Sequence, residues 1–409
     1  MKRSWDIIQI VRPITIGLLI GAGILLFIIE NNAARNAWLE NASTPELEAQ
    51  AANHPDDDLL VRTLCYRLVG EGKAPKATVL MEHLVARHPS SAEDWFGLGR
   101  CAANANQIVR AYQAYRRAYM LDHHNAQALV LVGQIETRAG LYADGLRDIE
   151  KAMAIDPKLN FDHGAYITCL IRYQRWQEAW QQLLAALNQN PMETELYSDL
   201  VEIAPHVGGL AKAEELLRRR IDMTPAYDTP KIHGLLALIL LKEAHSPNDL
   251  LNAAKEAQKE SWSPLRCQAG AEIFLACHDL THAQKLVEEG LNINPLDTDL
   301  LRILQTIYLM EHRAIAAQDV EKKIAVSQNM TPEIIHLQEL FMKNPDNPAI
   351  ALQLARALMQ HGNYASAAEA YLQVLHYDPN NQEASHQLSF CRQKAIEALD
   401  VTVRTKNIT

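Results

Sequence analysis

The chain has 409 residues, of which 48% are hydrophobic and 22% charged, and its formal net charge is -10. Glycine and proline number only 17 each, and no alternating β-branched runs mark strands, so a sheet-based fold is excluded. The acidic balance also argues against nucleic-acid binding by bulk electrostatics.

Residues 1–12 read as a short cytoplasmic segment carrying Lys2, Arg3 and Arg12. Pro13 to Ile29 comes next as 17 residues without a charge, Thr15 being the only hydroxyl. At ~1.5 Å per residue this stretch reaches about 25 Å, enough for a short transmembrane helix. Basic residues precede it, while Glu30, Glu40, Glu46 and Glu48 stand after it against Arg35 alone. The positive-inside rule then places everything downstream on the outer face. A cleaved signal peptide is the alternative, although the apolar run is long for one and no A-x-A site lies close behind it. Gly17 and Gly21 form a G-x-x-x-G that allows close packing against another membrane helix, or reflects the general frequency of glycine in such helices.

Residues 30–57 are polar and acidic, with a short helix expected from Thr44-Pro45-Glu46 to near His54. They read either as a spacer or, over residues 45–53, as a helix capping the body downstream. From residue 58 the chain repeats itself. Ala92 to Asn125 sets a 34-residue template, with Trp95, Leu98, Gly99 and Ala102 on a first helix and Ala111, Tyr115 and Ala118 on a second. These are positions 4, 7, 8, 11, 20, 24 and 27 counted from Ala92. Small residues at 8 and 20 let two antiparallel helices approach, and large ones at 4, 7 and 24 fill the space between them. Asp58–Pro89 fits through Leu64, Leu68, Gly72, Ala77 and Leu84. Ala126–Leu159 fits through Val132, Gly133, Gly140, Tyr142, Ala152 and Pro157, but has Gly145 at position 20. Copies beginning at Asn160 and Thr194 carry the regular series to Pro225.

This pattern resembles the tetratricopeptide repeat, and the resemblance covers most of residues 58–390. It implies an all-α, right-handed α-solenoid of helix hairpins, here preceded by one transmembrane helix. Residues 226–347 are less regular. Between Tyr227 and Ser263, His245-Ser246-Pro247-Asn248-Asp249 lengthens the inter-helix turn of a degenerate copy. Pro264–Pro295 fits the template, Thr298–Asn329 begins well, and Thr331-Pro332 supplies an N-cap and first-turn proline for one further helix to Lys343. This irregularity is either drift in a tolerant solenoid or a partner contact. Residues 348–399 hold a last copy, Pro348–Pro379, and a closing helix from Gln382 to Leu399. Residues 400–409 are expected to be a disordered tail.

Motifs for catalysis are absent: there is no G-x-S-x-G, no glycine-rich phosphate loop and no H-E-x-x-H. His278 and His282 lie beside Cys277 but straddle an inter-helix turn, so no metal or cofactor is expected. The six cysteines include no C-x-x-C. Cys65, Cys101 and Cys169 fall at packing positions, where thiols serve as small hydrophobes. Free thiols suit a reducing compartment, which runs mildly against the outer-face topology.

The family resemblance further implies a concave groove lined by the first helices. In this chain its candidate residues are Arg62, Tyr66, Phe96, Arg100, Asn104, Gln134, Arg138, Thr168 and Arg172. Arginines and aromatics together suit an extended peptide with an acidic group or a free carboxylate. Farther along, Glu195, Asp199, Glu202 and Glu272 make the lining acidic. The lysine/asparagine clamp of chaperone-tail-binding members is missing. The favoured function is therefore a non-catalytic scaffold, anchored in the membrane with its repeats on the periplasmic side of a bacterial inner membrane. Its layout is similar to single-anchor repeat proteins of quality control, cytochrome maturation and envelope assembly. A cytoplasm-facing regulator or receptor is the alternative. An enzyme or metal-handling protein using residues 227–347 is a remote third.

Overall fold

The computed structural model describes residues 33–223, 230–259, 263–327 and 330–406. The expected membrane segment 13–29, with Gly17 and Gly21, lies outside these ranges. Among the described residues all regular structure is helical, and no helix is long and apolar enough to cross a membrane. The chain divides into two compact units, residues 1–124 and 125–409.

In the first unit, helix α1 covers residues 33–41 and α2 runs Thr44–Asn53. Two hairpins come after them: α3 (Asp58–Gly70) with α4 (Ala74–Arg87), and α5 (Ala92–Asn104) with α6 (Ile108–Leu121). Leu39, Ala42 and Leu47 are buried in one apolar cluster with Leu60, Leu64, Leu68, Met81 and Leu84. The stretch read as either spacer or capping helix thus contributes to the core of the first hairpin. Ser43 caps α2 through a capping box with Glu46, and Asp57 caps α3 by accepting from the Leu60 N–H.

The second unit runs through hairpins α7 (Ala126–Arg138) and α8 (Tyr142–Ile155), α9 (Gly164–Arg172) and α10 (Trp176–Gln189), and α11 (Thr194–Val207) and α12 (Leu210–Asp222). It continues with α13 (Pro230–Glu243) and α14 (Pro247–Ala257), α15 (Pro264–Ala276) and α16 (Leu280–Ile293), and α17 (Thr298–Met310) and α18 (Ala314–Ser327). The single helix α19 (Pro332–Lys343) precedes the hairpin α20 (Pro348–Gln360) and α21 (Tyr364–Tyr377), and α22 (Gln382–Lys406) ends the series. Thr331 accepts from the Ile334 N–H, and Ser246 forms a capping box with Asp249, so the irregular stretch is terminated by ordinary helix caps. One boundary differs from expectation. The last helix continues past Leu399 to Lys406, where no glycine or proline stands to stop it.

Every template repeat turns at the same place. Position 15 has positive φ in all eight: Gly72, Asn106, Gly140, Gln174, Gly208, His278, His312 and Gly362. The next residue's N–H then reaches back five residues, as from Gln107 to the Ala102 carbonyl at 2.9 Å and from Leu141 to Glu136 at 2.9 Å. This closes the first helix by a left-handed C-terminal motif and aims the chain into the second. His278 is therefore a turn residue.

Five cysteines (65, 101, 169, 267 and 391) are buried, and Cys277, just past the end of α15, is exposed. Burial pushes the thiols of Cys101, Cys169 and Cys391 up to about 11. A thiol reagent should accordingly modify one cysteine per native chain, at position 277, and all six once the chain is unfolded. Mass spectrometry of the labelled peptides checks this. Rapid labelling at position 65 or 169 under native conditions would contradict the packing.

Candidate partner-binding site

The nine residues expected to face a partner divide between the two units. In the first, Arg62 and Tyr66 lie one turn apart on α3, and Phe96, Arg100 and Asn104 keep the same spacing on α5. Their side chains do different things. Arg62 forks onto Asp94, Nε donating to Oδ1 at 2.6 Å and Nη2 to Oδ2 at 3.0 Å. The Asp94 side chain is 0% exposed, so this arginine ties α3 to the first turn of α5. Phe96 packs on the buried Tyr115 ring at 5.7 Å. Asn104 donates back to the Arg100 carbonyl at 2.9 Å on its own helix. Exposed recognition chemistry is left to Tyr66 and Arg100, whose guanidinium sits 5.1 Å from the Tyr66 ring centroid. A cation held over an aromatic face keeps its edge donors free for an anion.

In the second unit, Gln134 donates to the Asp162 carbonyl at 3.0 Å and Thr168 to the Gly164 carbonyl at 2.9 Å, so both serve local backbone. Arg138 and Arg172 end α7 and α9, both are exposed, and Arg172 lies 5.7 Å from the Tyr142 ring centroid. Within the acidic set farther along, Asp199 is half-buried, and its carboxyl is pushed up to about 7 by burial and then by Glu202 and Glu193. Glu272 accepts from Gln268 at 3.0 Å. Among the described residues no group of three His, Cys, Asp or Glu side chains is placed to hold a metal ion. His282 instead pairs with Asp279 at 2.7 Å.

Sequence reasoning missed the internal use of Arg62. The signal was Asp94, 32 residues on, a buried acid in the first turn of the next repeat. Tyr142 was also missed as the ring beneath Arg172.

Tetratricopeptide-repeat family models match residues 66–123 and 336–391. Cellulose synthase 1 operon protein C of Komagataeibacter xylinus is 23% identical over 318 residues, covering 74% of this chain and 20% of that protein. A second Komagataeibacter xylinus cellulose synthase operon protein C is 24% identical over 317 residues, with the same coverage. The chain thus spans about a fifth of the length of the curated relatives it matches. Among solved structures, Pseudomonas aeruginosa PilF is 17% identical and covers 54% of this chain and 98% of its own, with a TM-score of 0.38. YrrB, a tetratricopeptide protein with an unusual peptide-binding site, is 15% identical and covers 54% and 96%, with a TM-score of 0.33. The helix hairpins of residues 66–123 and 336–391 thus match the tetratricopeptide repeat.

Proposed function

We propose that the chain is a non-catalytic scaffold that binds protein segments carrying acidic side chains or a terminal carboxylate. Residues 13–29 would anchor it in a bacterial inner membrane, with the repeats on the periplasmic face. The observation that carries the binding reading is the exposed pair of Arg100 over Tyr66 on successive repeats. In the second unit, the exposed Arg138 and Arg172 offer the same kind of donor. Stacked guanidinium groups give bidentate donors without a desolvation penalty in the free state. The likeness to cellulose synthase operon protein C supports an accessory role beside a biosynthetic or envelope complex.

Crosslinking in native membranes, with identification of the captured proteins, tests this. Changing Arg100, Arg138 and Arg172 together to glutamate should lower capture of the partner at least about tenfold, since one charge-assisted hydrogen bond is worth about 1.5 kcal/mol or more. Arg62 is left intact because its loss would disturb the fold. Undiminished capture would remove these arginines as partner contacts. A reporter active only outside the cytoplasm, fused after Thr409, separately tests the topology, and cytoplasmic activity alone would sink it.

A further inference from the structure

A row of helix hairpins needs only contacts between neighbours. In the second unit, however, residues 196 to 248 positions apart meet. Arg392 of α22 donates through Nε and Nη2 to the carboxylate of Asp144 on α8, 248 residues away. The Asp144 side chain is only 3% exposed, and it also receives Arg147 Nη1 at 2.7 Å. Glu369 of α21 accepts the Ala143 N–H at 2.9 Å and the Tyr173 hydroxyl at 3.0 Å. Beside them the chain passes close: a Cβ on Gly140 would lie 3.0 Å from that of Ala365.

Glu369 supplies what α8 lacks locally. Leu141 occupies the N-cap position and offers no side-chain bond. The Ala143 N–H is one of the donors a helix start leaves open, and an acid there also meets the positive end of the helix dipole. Burial, then the nearby Glu369 carboxylate, push the Tyr173 hydroxyl above its ordinary range, so it stays protonated and remains a donor. These hydrogen bonds and ion pairs are polar contacts, and α22 also comes up against α7. Adjacent hairpins in the same unit share continuous apolar packing instead, as between Cys267, Val287, Leu300, Leu304 and Val320.

We propose that the second unit is a ring clasped where α8 meets α21 and α22, and that the clasp opens while the hairpins stay folded. Once the ends part, water reaches the groups that met there and Arg147 still pairs with Asp144, whereas separating neighbouring hairpins would expose their apolar cores. Opening would admit a partner segment to the inner face of the ring, and closing would retain it.

The test uses the full chain in detergent with Cys277→Ser, which removes the exposed thiol, and spin labels at Ala154→Cys on α8 and Gln373→Cys on α21, both exposed positions. Electron–electron distance measurement should show one narrow short-distance peak. Glu369→Lys with Arg392→Glu should lose that peak to a longer-distance population while far-UV circular dichroism is unchanged, and Arg392→Lys should keep it. An unchanged short peak in the double variant, or a broad distribution in the parent, would overturn the clasp. Should the double variant lose helicity, Glu369→Gln with Arg392→Gln, which removes both charges without reversing them, is measured in its place. A shift to longer distances at constant helicity then supports the clasp, and no shift refutes it.

Discussion

Replacing Arg62 with alanine is expected to lower the stability of the first unit by about 3 kcal/mol at neutral pH, the low end for breaking a buried ion pair. The low end applies because Arg62 retains 22% side-chain exposure while its partner Asp94 retains none. The cost arises less from the lost attraction than from the carboxylate left behind, which water cannot reach. Native-state hydrogen exchange of peptides from α3 and α5 reads the effect locally, as suits repeats that open in parts. Truncating both partners, Arg62→Ala with Asp94→Ala, should recover much of the loss, since no stranded charge remains.

The same pair gives a signed pH dependence. Burial works to raise the Asp94 carboxyl pKa, but hydrogen bonds from Arg62 and then Ser91 outweigh it and hold the group below its ordinary range. A depressed folded-state pKa contributes stability that is fully present above the unfolded value of about 3.9 and lost as pH falls through the folded one. In Arg62→Ala burial is opposed only by the Ser91 bond and the nearby His88, so the carboxyl titrates at higher pH than in the parent and protonation relieves the variant first. The gap between parent and variant should therefore be widest near pH 7 and narrow on acidification. A gap below about 1 kcal/mol at pH 7, the scale of an exposed pair, would show that Arg62 and Asp94 are not joined in solution.

Arg62 also marks where sequence reading stopped. The 34-residue spacing located the hairpins, and the small residues at positions 8 and 20 identified where helices approach, because both derive from local periodicity. Cys65, Cys101 and Cys169 fell on packing positions by the same logic and are buried. What a side chain does once placed on a face depends on its reach toward the next repeat. Gln134 and Thr168 stand at the same template position as Tyr66 and Arg100, yet they bond to the Asp162 and Gly164 carbonyls. Arg62, one turn before Tyr66 on the same face, reaches across to Asp94. Nothing periodic links Asp144 to Arg392 across 248 residues. The turn at position 15 was half visible: glycines announced four copies, but Asn106, Gln174, His278 and His312 adopt the same left-handed backbone because the hairpin geometry requires it.

The exception at position 20 leads to the second large effect: Gly145→Ala should destabilise the second unit by about 2 kcal/mol, despite the usual helix-propensity gain of about 1 kcal/mol. A Cβ there would lie 2.4 Å from Thr137 Oγ1, 2.9 Å from the Gly133 carbonyl oxygen and 3.1 Å from the Thr137 nitrogen. Two of these three are backbone atoms of α7 and cannot rotate away. In the preceding copy the equivalent position is Ala111, and position 12 of its first helix is Ala103 rather than a threonine. Threonine at 137 and glycine at 145 thus belong together. The Thr137 hydroxyl, which donates to the Gly133 carbonyl at 2.9 Å and touches Cys169 Sγ at 3.2 Å, occupies the space an alanine methyl would need. Thr137→Ala in the Gly145→Ala background should restore part of the loss, but not all, because the Gly133 carbonyl still crowds the new methyl. Hydrogen exchange along α7 and α8 measures both steps. If Gly145→Ala matched or exceeded the parent in protection, helix propensity would be the stronger effect and the two helices could not be in backbone contact at this crossing.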